Sequence, residues 1–165
     1  MGPRKEPNIK KLIAVPALIT LAVTLLRLVG EFMNLPAWLA SKEAGGAGAL
    51  IGIAWLAPVF GVYFAGKLAN APGNLWKNLL KTLFAYGLAA RVPVILIMGL
   101  AIFGNWGTHY DAFPPDMADM SPTMKFLFGG VVAQLVFWVC IWTVGTGMLA
   151  GLIASKIRGP RMATA

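Results

Sequence analysis

The sequence predicts an all-α membrane protein, a bundle of four transmembrane helices, and three observations lead to this prediction. Hydrophobic residues make up 58% of the chain and charged residues 12%, whereas about 25% of the residues of a soluble domain are charged. Four apolar stretches are close to or above the length of about 20 residues that crosses a bilayer as a helix. The 14 basic residues are distributed unevenly among the segments that connect these stretches. We expect a single integral membrane domain over residues 1–165.

The four predicted helices cover approximately residues 12–33, 49–68, 80–103 and 126–154. The first could be mistaken for a secretory signal, because Lys10 and Lys11 precede its apolar run. However, a cleavage site needs small residues one and three positions before the cut. Trp38 occupies the third position before a cut after Ala40, so we expect this helix to be retained.

The basic residues predict the orientation of the bundle. Ten of them fall on one side of the predicted membrane: Arg4, Lys5, Lys10, Lys11, Lys67, Lys77, Lys81, Lys156, Arg158 and Arg161. The opposite side receives Lys42 and Lys125 together with five acidic residues. Because cytoplasmic loops carry an excess of Lys and Arg, we expect both termini to be cytoplasmic, in a prokaryotic inner membrane. This pattern also accounts for the net charge of +8, so nucleic acid is not an expected partner.

The connecting segments and helix faces predict how the bundle is assembled. Pro36 ends the first helix, and we expect a short interfacial helix after it, followed by a flexible Gly/Ala turn. The second and fourth helices carry small residues at steps of four, which would allow close helix approach within the bundle or in a homo-oligomer. These residues are Ala57, Gly61, Ala65 and Ala69, and then Thr143, Gly147, Gly151 and Ser155.

Two arginines lie within the predicted spans and indicate a candidate site. A charge at the centre of a membrane helix costs about 2.5–3.5 kcal/mol on insertion scales, so Arg91 is expected to face protein or water. Glu31 follows Arg27 by four residues and can pair with it on one helix face. Arg91 would then lack an anionic partner, and the outer half of the bundle would contain a net positive pocket. The candidate ligand-binding residues are Arg91, Arg27, Glu31, Gln134 and Tyr63.

Two alternatives for Arg91 remain open. The guanidinium can be satisfied inside the bundle, on the carbonyl of Ala89, which Pro93 deprives of its helical partner, and on polar side chains. Alternatively, it can meet an acidic residue of a partner membrane subunit.

A structured outer loop is predicted between the third and fourth helices. It contains the only histidine, His109, and Met117 and Met120, which are weak candidates for copper ligands. Its aspartates are a candidate for calcium, and the favoured interpretation of the loop is a hydrophobic lid over the bundle. The single cysteine, Cys140, excludes an intrachain disulfide and a multi-cysteine metal site. No cofactor is predicted.

These features separate the classes of function. Enzymatic activity is not predicted, because the chain has one histidine and no aspartate within a span. The leading hypothesis is a small membrane protein that binds or translocates an anionic or amphiphilic small molecule or lipid in the arginine-lined pocket. A non-catalytic accessory subunit of a larger complex is the alternative, and a lipid-modifying enzyme is a third.

Overall fold

The computed structural model describes residues 6–43 and 50–158, and the described residues are helical with no β-strand. Four helices come first: α1 (Ile9–Phe32), the short α2 (Ala37–Ala40), α3 (Leu56–Leu68) and α4 (Leu75–Gly104). Residues 105–121, which we call the connector, contain one 3-10 turn at Pro115–Met117. The C-terminal helix then runs through three consecutive parts, Pro122–Lys125, Phe126–Thr146 with π-type turns, and Gly147–Arg158.

Three of the helices are preceded by a polar residue whose side chain caps the first turn. The side-chain oxygen of Asn8 accepts a hydrogen bond from Lys11 N at the start of α1, and Asn74 accepts from two amides at the start of α4. Ser121 accepts from Met124 N at the start of the C-terminal helix. Each cap satisfies amide groups that have no partner within the helix.

Three helices are long and apolar enough to cross a membrane: Ile9–Phe32, Leu75–Gly104 and Pro122–Ile157. They agree with three of the predicted spans, with ends that differ by a few residues. A short helix, α2, is present where the interfacial helix was predicted. The predicted Gly/Ala turn falls on residues 44–49, which lie outside the described residues.

The second predicted helix, over 49–68, is wrong in its first part. Helix α3 begins at Leu56 and has 13 residues, a length of about 20 Å, against the roughly 30 Å of a hydrocarbon core. Pro58 explains the late start, because proline fits the first turn of a helix but has no N–H for a carbonyl four residues earlier. That carbonyl, of Ala54, instead accepts a hydrogen bond from Trp142 Nε1 at 2.9 Å.

The contacts define which helix ends lie together. The last turn of α3 lies beside the start of α1, where Lys67 and Leu68 share a shallow depression with Asn8 and Lys11. At the other end of α1, Glu31 contacts the connector. Helix α1 therefore extends from the end of α3 to the connector.

The small-residue stripes of α3 and of the C-terminal helix pack against each other, so close helix approach occurs within the chain. A Cβ atom added to Gly61 would lie within 2.6 Å of Gly147 Cα, so the two backbones touch here. A Cβ on Gly151 would lie 3.2 Å from that of Ala65. Large side chains of α3 and α4 form the adjacent core: Phe60, Phe64, Leu68, Leu79, Leu83 and Tyr86.

Candidate functional site

A cavity of about 310 Å³ lies between α1, α4, the C-terminal helix, the connector and the non-helical segment 52–55. Its volume is at the lower end of the roughly 300–1,000 Å³ of small-molecule sites. Polar side chains on its wall are Thr24, Arg27, Arg91, His109 and Gln134. Apolar and aromatic side chains form most of the remaining wall, among them Trp55, Val94, Met98, Phe113, Met117 and Trp138.

Arg91 is one of two buried arginines that line this cavity. Only 4% of the residue is exposed, and its Nη1 donates to Gln134 Oε1 at 3.3 Å. The guanidinium carbon lies 4.4 Å from the centre of the Trp138 ring, which is a cation–π contact. Within residues 6–43 and 50–158, no carboxylate forms an ion pair with Arg91. Its contacts with side chains of the described residues are therefore with neutral groups, and none of them supplies a counter-charge.

Gln134 orients the guanidinium. Its Oε1 accepts from Arg91, and its Nε2 donates to Met98 Sδ at 3.4 Å. The oxygen and the nitrogen of the Gln134 amide are thus both hydrogen-bonded, to Arg91 and to Met98 respectively. This arrangement holds one N–H of Arg91 and limits rotation of the guanidinium.

Arg27 and Glu31 form the second charged group at the cavity. Arg27 Nε donates to Glu31 Oε1 at 2.9 Å, and its Nη2 donates to the carbonyl oxygen of Ser41 at 3.0 Å. Glu31 is fully buried. The spacing of four residues on one helix predicted this pair, and the structure contains it.

The connector is attached to the same carboxylate. His109 N donates to Glu31 Oε2 at 2.8 Å, and His109 Nδ1 is in contact with Glu31 Oε1, a contact that requires a proton on Nδ1. Burial lowers the pKa of His109, despite the opposing effect of Glu31. The neutral form of the His109 ring is therefore favoured at neutral pH.

Further contacts hold the connector over the cavity. Tyr110 OH donates to the Thr24 carbonyl oxygen at 3.3 Å. The Asp111 carboxylate accepts from Gly107 N, Thr108 N and Thr108 Oγ1, which closes a tight turn. The Phe113 ring lies against Gly129, where a Cβ atom would overlap it. The connector thus forms one wall of the cavity, the arrangement of the predicted hydrophobic lid.

The structure brings together some of the predicted site residues. Arg27, Arg91 and Gln134 line the cavity, and Glu31 touches two residues that line it. Tyr63 does not join them: it is 39% exposed and lies beside Lys67, at the end of α3 far from the connector.

The metal candidates are placed differently from one another. Met117 and His109 both line the cavity, and His109 also lies against Glu31, whereas Met120 is 38% exposed. In the part of the chain that the structure describes, no three His, Cys, Asp or Glu side chains are grouped so that they could hold a metal ion.

Two features of the site were not predicted from the sequence, the contact of Trp138 with Arg91 and the non-helical segment 52–55. Trp138 follows Gln134 by four residues on an otherwise apolar helix, a spacing that indicates a shared face. Segment 52–55 lines the cavity because α3 starts late, and Pro58 was the sequence signal for that start.

Comparisons with models of protein families, with curated proteins and with solved structures found no match to this chain.

Proposed function

We propose that this protein binds an amphiphilic anion in the cavity, with Arg91 as the group that receives the negative charge. The observation that carries this proposal is a guanidinium that is almost fully buried, lines a cavity and has no carboxylate partner among the described residues. A buried charge without a counter-charge is costly. An anionic ligand would supply the counter-charge that the chain itself does not place there.

The walls of the cavity support an amphiphile over a small inorganic anion. Trp55, Phe113 and Met117 offer apolar surface opposite the charged groups. Ligand sites of this kind combine apolar walls with a few polar groups that set the orientation of the ligand. The apolar part of the ligand would lie against these side chains while its anionic group reaches Arg91.

We also propose that the chain crosses a prokaryotic inner membrane four times, with both termini cytoplasmic. Leu50 N donates to the Trp38 carbonyl oxygen near the end of α1, whereas Leu68 lies near the start of α1. Residues 50–68 thus extend along the length of α1, although only 56–68 are helical. Non-helical backbone is tolerated at membrane depth where it lines a cavity, which segment 52–55 does.

The packing supports binding in preference to an open channel. Between the cavity and the start of α1, the side chains of Phe64, Leu83 and Tyr86 are at most 2% exposed. Thr20 Oγ1 and Tyr86 OH form a hydrogen bond of 2.7 Å within this layer. Translocation would require this layer to separate.

A binding experiment tests the proposal. The full chain is placed in phosphatidylcholine nanodiscs, and octanoate is titrated by calorimetry and by thermal unfolding. We expect saturable binding and a rise in Tm for the natural sequence, since a ligand that binds only the folded state stabilises it. Arg91→Leu is expected to abolish both effects. Lys42→Gln removes an exposed cation outside the cavity and should leave both unchanged.

Two results would contradict the proposal. One is that neither octanoate nor octyl phosphate binds to the folded protein. The other is that the Arg91→Leu variant binds as tightly as the natural sequence.

A further inference from the structure

We propose that the ligand of this cavity is a monocarboxylate with an apolar body, and that Glu31 sets the preference for one negative charge by neutralising Arg27. This inference rests on the proposed function of the cavity. It goes further in naming the head group and the residue that selects it.

The charges around the cavity support a ligand with one negative charge. Two arginines line the cavity, but Arg27 is paired with the buried Glu31 at 2.9 Å. His109 is neutral near neutral pH because burial lowers its pKa. The Asp111 carboxylate, which does not line the cavity, is engaged by its own turn. One positive charge, that of Arg91, remains without a counter-charge.

The surroundings of Arg91 support a planar head group. Trp138 lies over the guanidinium at 4.4 Å from the ring centre, so access from that face is blocked. A guanidinium has five N–H donors in one plane, and only one hydrogen bond, to Gln134, is formed among the described residues. A ligand that uses the remaining donors approaches within this plane. Two oxygens of a carboxylate match two parallel N–H groups in this geometry.

The volume limits the apolar body. A cavity of about 310 Å³ equals roughly ten water volumes at about 30 Å³ each. This space accommodates a medium-chain or single-ring carboxylic acid. A two-chain phospholipid is too large to enter it whole.

The test compares ligands that share one chain and differ in the head group. Octanoate, octyl phosphate and octanol are titrated against the full chain in phosphatidylcholine nanodiscs at neutral pH. Octyl phosphate carries a charge of about −1.5 to −2 at this pH. We expect octanoate to bind about tenfold more tightly than octyl phosphate, and octanol to bind more weakly than octanoate.

Two variants test the assignment of Glu31 and of the guanidinium plane. Glu31→Gln keeps an oxygen for His109 N but frees the charge of Arg27, so octyl phosphate should gain about tenfold relative to octanoate. Asp119→Asn, an exposed acid of the same connector, is the matched control and should leave the ratio unchanged. Arg91→Lys keeps the charge but not the two-point geometry and should weaken octanoate about tenfold.

The outcomes separate the inference from the proposed function. If octyl phosphate binds the natural sequence as tightly as octanoate, the inference fails while the anion site stands. The same conclusion follows if Arg91→Lys binds octanoate unchanged, or if a folded Glu31→Gln keeps the natural ratio. The octyl phosphate comparison and the Arg91→Lys result do not depend on whether Glu31→Gln folds. If no ligand of the series binds, the proposed function fails and the inference fails with it.

Discussion

At the scale of single residues, Glu31 holds three parts of the chain together. Its carboxylate accepts from Arg27 Nε on α1 and from His109 N on the connector, and Arg27 in turn reaches the Ser41 carbonyl. Both charged side chains are less than 10% exposed. Removal of either partner therefore leaves a buried charge without its counter-charge.

We expect Glu31→Ala to lower the free energy of unfolding by about 3–5 kcal/mol, the usual loss when one partner of a buried ion pair is removed. Arg27→Met should have a similar effect. The double variant Arg27→Met/Glu31→Leu should lose less than the sum of the two, because no unpaired charge remains. Unfolding of the three variants in detergent micelles measures this coupling. Strictly additive losses would show that the pair contributes no coupling energy.

The lowered pKa of His109 predicts that the stability of the protein depends on pH. Its pKa in the folded protein lies below the ordinary value of 6.5, so the unfolded chain binds a proton more readily in this range. Stability is therefore full above about pH 6.5 and declines as the pH falls through the lowered pKa of the folded state. The charged groups around the ring are Glu31, Arg27 and Asp111, and the Tyr110 ring lies 3.8 Å from it.

The variant His109→Asn should lose this part of the decline, since asparagine does not titrate. Thermal unfolding of the natural sequence and of His109→Asn at a series of pH values provides the comparison. Parallel profiles for the two proteins would show that His109 does not contribute to the pH dependence.

At the scale of elements, the contact between α3 and the C-terminal helix depends on glycine. The Gly61 position faces the Gly147 backbone so closely that even a methyl group would overlap it. Backbone does not rotate aside as a flexible side chain does, so the helices would have to separate. Dispersion contacts along the whole seam would weaken.

Gly61→Ala is expected to lower the free energy of unfolding by about 1–3 kcal/mol, as overpacking does in other tightly packed cores. Gly145→Ala is the matched control, because nothing lies within 4 Å of its added Cβ atom. Detergent unfolding of both variants measures the difference. Equal stability of the two variants would contradict the close backbone contact.

The late start of α3 depends on a hydrogen bond from a distant part of the chain. The helix has apolar residues before Leu56 that could have continued it, yet Pro58 leaves the Ala54 carbonyl without a helical donor. Trp142, 88 residues away in the sequence, supplies the donor. The segment 52–55 can thus line the cavity without an unsatisfied carbonyl at Ala54.

At the scale of the whole molecule, the proposed four crossings determine where the termini lie. If residues 50–68 cross the membrane together, both termini lie on one side and the connector on the other. If this segment enters and leaves on one side, the termini lie on opposite sides. The two arrangements differ in the location of Glu6, Asp116 and Lys156.

Single cysteines distinguish these arrangements in a Cys140→Ala background. We expect Asp116→Cys to react with a membrane-impermeant maleimide in intact cells. Glu6→Cys and Lys156→Cys should react only after permeabilisation, because the excess of basic residues predicts that both termini are cytoplasmic. Labelling of Glu6→Cys and Lys156→Cys from opposite sides would contradict the four-crossing proposal.

The sequence alone was sufficient for properties that depend on near neighbours. The apolar character of α1, α4 and the C-terminal helix is a local property, since each segment must be apolar along its own length to cross a membrane. The Arg27–Glu31 pair is also local, because four residues make one turn of one helix. Arg91 was recognisable as a candidate because a charge within an apolar run is costly wherever its neighbours lie.

Only the tertiary structure decided which distant groups surround Arg91. Gln134 lies 43 residues away in sequence, and the contact depends on the register of α4 against the C-terminal helix. Tyr63 was as plausible from the sequence, but α3 places it near Lys67 instead. The attachment of His109 to Glu31 likewise needs the folded connector. The sequence by itself therefore determined the three long apolar helices and the cost of the buried charge. The packing of the helices decided the start of α3 and the cavity, since contacts between separate helices have no periodic signal in one chain.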